Sequence, residues 1–481
     1  MRHLLTLSGL EIARRIRAGQ LTARQALEVH AEHLVRTNPH LNAVVRDRLD
    51  DARREAEEAD RRLAREGPDR VPVFHGVPCT IKESFALTGM PNTSGLVARR
   101  GVVASEDAPT VARLRAAGAI PLGVTNTSEL CMWMESDNRV YGRTNNPYDP
   151  SRIVGGSSGG EGAAIGAGIS PFGLGSDIGG SIRMPAFFNG VFGHKPSVGL
   201  VPNEGQYPIA ENDALRLLAT GPLCRRAEDL WPLLQVLSGP ELTRRMPDGS
   251  PDRVDLAGLR VIDVEDDGRM PVSRELRAAQ RRAADHLASL GADVRREKVA
   301  GLKHALEMWA AVMHEAADTT FRELLGNGRP VRAGWELLRW VARRSHHTLP
   351  TLGLALIEAI MELAPFSNER MLAHRDALRG ELLDRMGDAG IVLYPSYPQV
   401  APRHGAPLLP PIRWVYTAAF NVLELPVTQV PLGLGGRGLP LGVQVAAAPD
   451  RDDVAVAAAL ELERAFGGWV LPKLPAAERA A

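Results

Sequence analysis

A chain of 481 residues with 44% hydrophobic content can bury one large core or divide into two or three ordinary domains. Its 57 Lys and Arg balance 57 Asp and Glu, so no net positive surface recommends nucleic acid as a partner. Three distant cysteines (Cys79, Cys131, Cys224), with no Cys-x-x-Cys or His-Glu-x-x-His, rule out a disulfide framework and give a metal site no support.

Charges interrupt the N-terminal residues by Glu11, so neither a signal peptide nor a membrane span is expected. The chain reads as soluble and cytoplasmic. Ser8 to Glu11 and Thr22 to Gln25 form capping boxes for two helices, and Gly19 separates them. Leu27, Ala31 and Leu34 fall on one helical face. Leu49 to Arg65 reads as a solvated helix. Val77 to Lys82 then alternates as a short strand, with Lys82 at its end on the polar side. A helix at Val111 to Ala117 and a strand at Ala119 to Val124 follow, then a polar loop to Tyr148 that holds an apolar patch from Cys131 to Met134. A small-residue helix is expected at Gly162 to Gly168 and a strand at Phe172 to Ser176. Beyond a turn-rich, charged stretch from Pro240 to Asp255, Leu259 to Val264 is a strand and Arg274 to Leu290 an amphipathic helix. Leu302 to Leu363 is mainly helical. Strands at Gly390 to Tyr394, Leu425 to Val430 and Leu441 to Ala446 precede a last helix at Asp453 to Phe466. Alternating strands and helices indicate an α/β fold.

The stretch from Gly155 to Pro185 carries two glycine-rich turns, Gly155 to Gly160 and Gly179 to Ser181. Glycine turns that end in serine can place backbone N–H groups beside a hydroxyl, as acyl transfer requires. They can equally be ordinary loops. A phosphate loop is excluded because no Lys follows either cluster. Gly155 to Gly159 also satisfies Gly-x-Ser-x-Gly, which would make Ser157 the nucleophile with an acid and a His downstream. The base is then open between a histidine, such as His75 or His194, and Lys82, which needs burial to act as a base.

Gly76-x-Pro-x-x-x-Lys82, Gly155-Gly-Ser-Ser-Gly-Gly160 and Asp177-x-Gly-Gly-Ser-Ile-Arg183 together resemble the amidase signature hydrolases, with Ser157 and Ser181 24 residues apart as in that family. The resemblance covers almost the whole chain. Gly193 to Ser197, Val201 to Asn203, Leu393 to Ser396 and Phe466 to Trp469 are similar to the type 2 fatty-acid amide hydrolases, whose N-terminal membrane span this chain lacks. It implies a single amidase signature domain, a large twisted mixed sheet flanked by helices on both sides. Its parts would be a helical N-terminal segment (1–66), a catalytic core (67–240), a mainly helical pocket region (241–390) and C-terminal strands with a helix (391–481). By position, Ser181 is the nucleophile, Ser157 a bridging serine on a cis peptide bond from Gly156, and Lys82 the base. Ile178, Gly179, Gly180 and Ser181 supply the oxyanion amides. Ser158, Asp177 and Arg183 support the turn, and the change from Lys-Asp to Lys82-Glu83 is expected to matter little.

Substrate contacts are expected from Met132, Trp133, Met134, Trp309, Met313 and Tyr397. These favour an apolar acyl or aryl amide, ester or carbamate over a small polar amide. No cofactor or metal is implied, and the protein would be a monomer or homodimer. An alternative is the amidase subunit of a tRNA-dependent amidotransferase. A non-enzymatic membrane role is the minor reading. It rests on a helix with Trp335, Leu338 and Trp340 beside Arg339, Arg343 and Arg344.

Overall fold

Local signals near the N-terminus are used much as written. In the computed structural model, which describes residues 2–209, 212, 214–316, 319–361 and 368–473, Ser8 caps the Gly9–Arg17 helix. Thr22 and Gln25 form a reciprocal capping box on the Ala23–Leu41 helix. Leu27, Ala31 and Leu34 are all buried. The charged Leu49–Glu66 helix buries only Leu49, Ala52 and Ala56, which fits a solvated helix lying on the surface.

In chain order the strands are β1 (Val44–Asp47), β2 (Pro78–Lys82), β3 (Ile120–Thr125), β4 (Asp137–Asn138), β5 (Gly142–Arg143), β6 (Phe172–Asp177), β7 (Phe192–Lys195), β8 (Ala219–Cys224), β9 (Arg260–Asp263), β10 (Asp293–Arg296), β11 (Ile391–Tyr394), β12 (Val427–Leu434) and β13 (Pro440–Ala447). Eleven of them form one mixed sheet in the order β1-β3-β2-β6-β8-β7-β12-β13-β11-β9-β10, and β4 pairs with β5 alone. β2 runs parallel to β3 and β6. From β6 through β8, β7, β12 and β13 to β11 every neighbour is antiparallel. β9 and β10 continue in parallel beside β11, so the 241–390 region extends the main sheet.

Every residue of β2, β3, β6, β7, β8, β11 and β13 is buried. Such strands read as apolar runs because helices cover them on both sides. The Gly159–Gly166 helix packs on β2, β3 and β6, and the Asp452–Phe466 helix on β12 and β13. The small-residue helix therefore begins at Gly159, three residues before the expected Gly162, directly from the first glycine turn. Gly160 explains the tight start: a Cβ there would meet the backbone of Asn126 and Ala43. The turn-rich stretch after Pro240 holds a short helix, Pro240–Arg245.

The expected helical run from Leu302 is broken into Ala305–Ala316, Phe321–Leu325, Ala333–Val341 and Leu349–Met361, and Leu363 lies outside the described residues. The last three of these helices close a second hydrophobic cluster around Leu325, Ala333, Leu352 and Ala355, joined by Leu96, Leu130 and Met132 from the loops near Lys82, while Ala305–Ala316 packs on the main core. Trp340 packs against this cluster, while Trp335, Leu338 and Val341 on the same helix stay exposed. No described helix is long and apolar enough to cross a membrane.

The β7–β8 pairing demands glycine. A Cβ at Gly221 of β8 would fall on the carbonyl oxygen of His194 and against Pro196. Gly221→Ala should lower stability by about 1–3 kcal/mol, read as an earlier transition in urea unfolding.

Candidate active site

Two parallel neighbours, β2 and β6, end side by side, which brings Lys82 at the end of β2 near Ser176 and Asp177 at the end of β6. Lys82 is fully buried. Its Nζ donates to Ser157 Oγ at 2.7 Å and to Ser176 Oγ at 2.9 Å. The Gly156–Ser157 peptide bond is cis. Ser136 holds this first turn from below: its hydroxyl donates to the carbonyls of Gly155 and Ser157, both at 3.1 Å, and accepts the Gly159 amide at 3.0 Å. Gly156 is pressed against the backbone of Trp133, Met134 and Glu135, where a side chain has no room.

Burial pulls the Lys82 ammonium below its ordinary pKa, since no carboxylate touches it to repay lost hydration. Cys131, Asp177 and Glu161 pull in the opposite direction without overcoming burial. A lysine held this way has a share of neutral amine that a surface lysine lacks.

The second turn is built around an ion pair. Asp177 and Arg183 are both fully buried and joined through Nη2 to Oδ1 at 2.9 Å and Nε to Oδ2 at 3.0 Å. Asp177 also accepts the amides of Gly180 at 2.7 Å and Ile182 at 3.0 Å, and Asn421 Nδ2 at 2.9 Å. Burial alone would raise the Asp177 pKa, but Arg183 and these donors hold it well below the usual carboxylate range. Arg183 Nη1 donates onward to the Thr417 carbonyl at 2.8 Å and to Gln444 Oε1 at 2.7 Å. Gly180 has φ +118°, and a Cβ there would overlap the Thr417 side chain. The two turns meet where the Ser158 amide donates to the Ser181 carbonyl at 3.2 Å. The Ser158 hydroxyl bonds the Ser176 carbonyl at 3.3 Å, on β6.

Ser157 is closed in, whereas Ile178, Gly179 and Ser181 keep partial exposure. Of the expected oxyanion amides, that of Gly180 is already given to Asp177. Trp309 reaches this rim, donating Nε1 to the Ile178 carbonyl at 2.9 Å and meeting Trp414 edge-on at 4.9 Å. Met132, Trp133 and Met313 are partly exposed. Met134 and Tyr397, expected at the pocket, are instead packed into the core, with the Tyr397 hydroxyl 3.8 Å from Met134 Sδ.

Neither candidate histidine faces a serine of these turns. His75 Nε2 pairs with the Ala59 carbonyl at 3.0 Å. His194 is fully buried between Thr428 Oγ1 at 2.9 Å and Asp452 Oδ1 at 3.1 Å. Among the described residues, no group of three or more His, Cys, Asp or Glu side chains is placed to hold a metal ion.

A family profile described as Amidase matches residues 25–456, most of the chain. The chain belongs to the amidase signature family. It is 46% identical to human fatty-acid amide hydrolase 2 over 98% of this chain and 91% of that protein. It is 29% identical to a glutamyl-tRNA(Gln) amidotransferase subunit from Maridesulfovibrio salexigens, over 99% of both. A crystal structure of an amidase superposes with a TM-score of 0.78 at 28% identity, over 96% of this chain and 100% of that one. The protein is thus an amide-hydrolysing enzyme on an amidase signature fold.

Several residues of this amidase signature site are absent from the sequence reading. Ser176 shares Lys82 with Ser157, and its position on β6 in register beside β2 was the available signal. Glu83, read there only as a change from Asp expected to matter little, is fully buried. It accepts the Thr93 amide, the Thr93 and Tyr141 hydroxyls and the Ser94 amide, each at 2.7 Å. It thereby fixes the loop whose Ser94 carbonyl receives the Leu130 amide at 2.8 Å. Burial still pushes the Glu83 carboxyl up to about 7. Glu129 ties the same segment to the helices above, accepting from His347 Nδ1 at 2.8 Å, the Thr348 amide at 2.7 Å and the Thr351 hydroxyl at 2.9 Å.

Because Asp177 has a depressed native pKa, its stabilising contribution is complete above the unfolded carboxylate value of about 4. It is lost only as the pH falls toward the native value. Asp177→Asn leaves a buried, unpaired guanidinium and should cost about 3–5 kcal/mol. Thermal unfolding at several pH values checks both: the variant's deficit should be constant near neutrality and narrow in acid.

Proposed function

We propose that the enzyme hydrolyses amides through a Ser181–Ser157–Lys82 proton relay and an acyl-enzyme intermediate. The observation that carries this reading is the 2.7 Å hydrogen bond from Lys82 to the Ser157 hydroxyl, in a site where both candidate histidines are engaged elsewhere. Neutral Lys82 takes the Ser157 proton as Ser157 takes that of Ser181, and Ser181 Oγ attacks the carbonyl carbon. The developing oxyanion turns to the amides of Ile178, Gly179 and Ser181, in the partly exposed stretch of the second turn. The Lys82 proton then returns through Ser157 to the leaving nitrogen, the C–N bond breaks and the amine departs. Water enters and the same relay releases the acid.

The acyl or aryl part of the substrate lies along Trp309, Trp414, Met132, Trp133 and Met313. The partial exposure of these side chains, with Trp309 and Trp414 against Gly179 of the second turn, supports an apolar acyl or aryl amide, with esters and carbamates as carbonyls of the same geometry. The 46% identity to a fatty-acid amide hydrolase against 29% to an amidotransferase subunit favours a stand-alone hydrolase.

On long-chain and aryl p-nitroanilides, Lys82→Ala and Ser181→Ala should each lose activity by on the order of 10⁴-fold or more. His75→Asn and His194→Asn, corrected for folded fraction, should stay within about tenfold of wild type, as expected when neither residue takes part in proton transfer. Mass spectrometry of quenched turnover should find the acyl group on the Ser181 peptide; an acyl group on Ser157 would revive the elbow assignment. Since Lys82 must be neutral to act, kcat/KM should rise with pH along a limb lying below the ordinary lysine value of about 10.4.

A further inference from the structure

One buried acid beside the relay has no part in it. Glu161 lies in the first turn of the helix that leaves the first glycine turn and is fully buried. Its carboxylate accepts the Thr80 hydroxyl at 2.6 Å and the Thr125 hydroxyl at 3.0 Å. Thr80 stands two residues before Lys82 on β2, so the two side chains share a face about 7 Å apart along the strand. Opposite Thr80 on β6 is Gly173, and a Cβ there would fall on the Glu161 carboxylate. The carboxyl thus fills a notch that a glycine leaves open, one pleat below the base.

No arginine neutralises it. Lys82 is the cation that acts on Glu161, against a burial that pushes the carboxyl up to about 8. The groups around the acid are Cys79, Thr80 and Lys82 from β2, Thr125 from β3 and the Ser170 hydroxyl, 2.9 Å from that of Thr80; the Cys79 thiol is held protonated by its own burial and by Glu161. Those around Lys82 are Ser157, Ser176, Cys131, Asp177 and Glu161. Asp177 is already matched by Arg183. Once the relay puts a proton on Lys82, Glu161 is the buried acid on the same face, one pleat below, that can answer it.

We infer that Glu161 is a positioning residue for the reaction, supplying from one pleat below the charge against which Lys82 takes up and returns its proton. This rests on Lys82 being the base. The two groups then titrate as a coupled pair, not as separate sites.

The test is the pH dependence of kcat and kcat/KM for Glu161→Gln and Thr125→Val, with Lys82→Ala alongside. Glutamine keeps the shape and an acceptor but not the charge. The rising limb should move to lower pH by roughly one unit or more. It should also sharpen toward a single step, with KM within about twofold and kcat on the plateau lower, because a less basic lysine is a weaker base. Thr125→Val removes one donor from the carboxylate and should shift the limb the same way by less. An unmoved limb in folded Glu161→Gln, or a uniform loss across pH with raised KM, overturns the inference and leaves packing as its role. If the glutamine variant does not fold, an unmoved limb in Thr125→Val overturns it. Turnover surviving in Lys82→Ala would overturn the base assignment and this inference with it. An unmoved limb beside an inactive Lys82→Ala overturns this inference alone.

Discussion

The buried pair of Asp177 and Arg183 is the constraint on which the second turn depends. One carboxylate collects the amides of Gly180 and Ile182, the guanidinium and the Asn421 amide group, so the backbone between residues 177 and 183 has little freedom left. Removing a charge pair from water is costly, and it is repaid only when geometry and further hydrogen bonds are good. Here the repayment comes from Thr417, Asn421 and Gln444, which close the remaining donors of Arg183. The turn is rigid because its charge is complete.

Lys82 is treated in the opposite way. It is as buried as Arg183 but is given hydroxyls instead of a carboxylate. Of these two buried cations, one is paired with a carboxylate and the other is held by hydroxyls. A paired ammonium would be a stable ion and a poor base, and a lysine in open water would stay protonated near neutrality. The charges that reach Lys82 without touching it set a level between these extremes.

Much of this was legible in the sequence because it is local. Capping signals, the strand that ends at Lys82, and the two glycine turns depend on neighbours a few residues away. The family resemblance supplied the order of Ser157 and Ser181, which spacing alone left open against the elbow pattern. Contacts between distant segments were not legible. β1, β7 and β10 have four residues each, and Gly and Pro blur the pattern of β8; they are strands because neighbours distant in sequence pair with them. Met134 and Tyr397 have the composition of a pocket wall, but Phe188 and each other close them into the core. Nothing local in the sequence marks Glu83, Glu129 and Glu161 as buried, yet all three are. Their burial is visible only once four loops and three strands meet.

Arg183 finds its partners at Thr417, Asn421 and Gln444, more than 230 residues further along the chain. A ribosome therefore delivers both serines long before the groups that hold their turn in shape. Until the Val415–Val422 helix emerges, Gly180 has no Thr417 to rest on, and until β13 follows, the guanidinium of Arg183 still lacks Gln444. The shell that holds the second turn thus arrives late in synthesis, and fragments broken off before that point carry Ser157 and Ser181 without it.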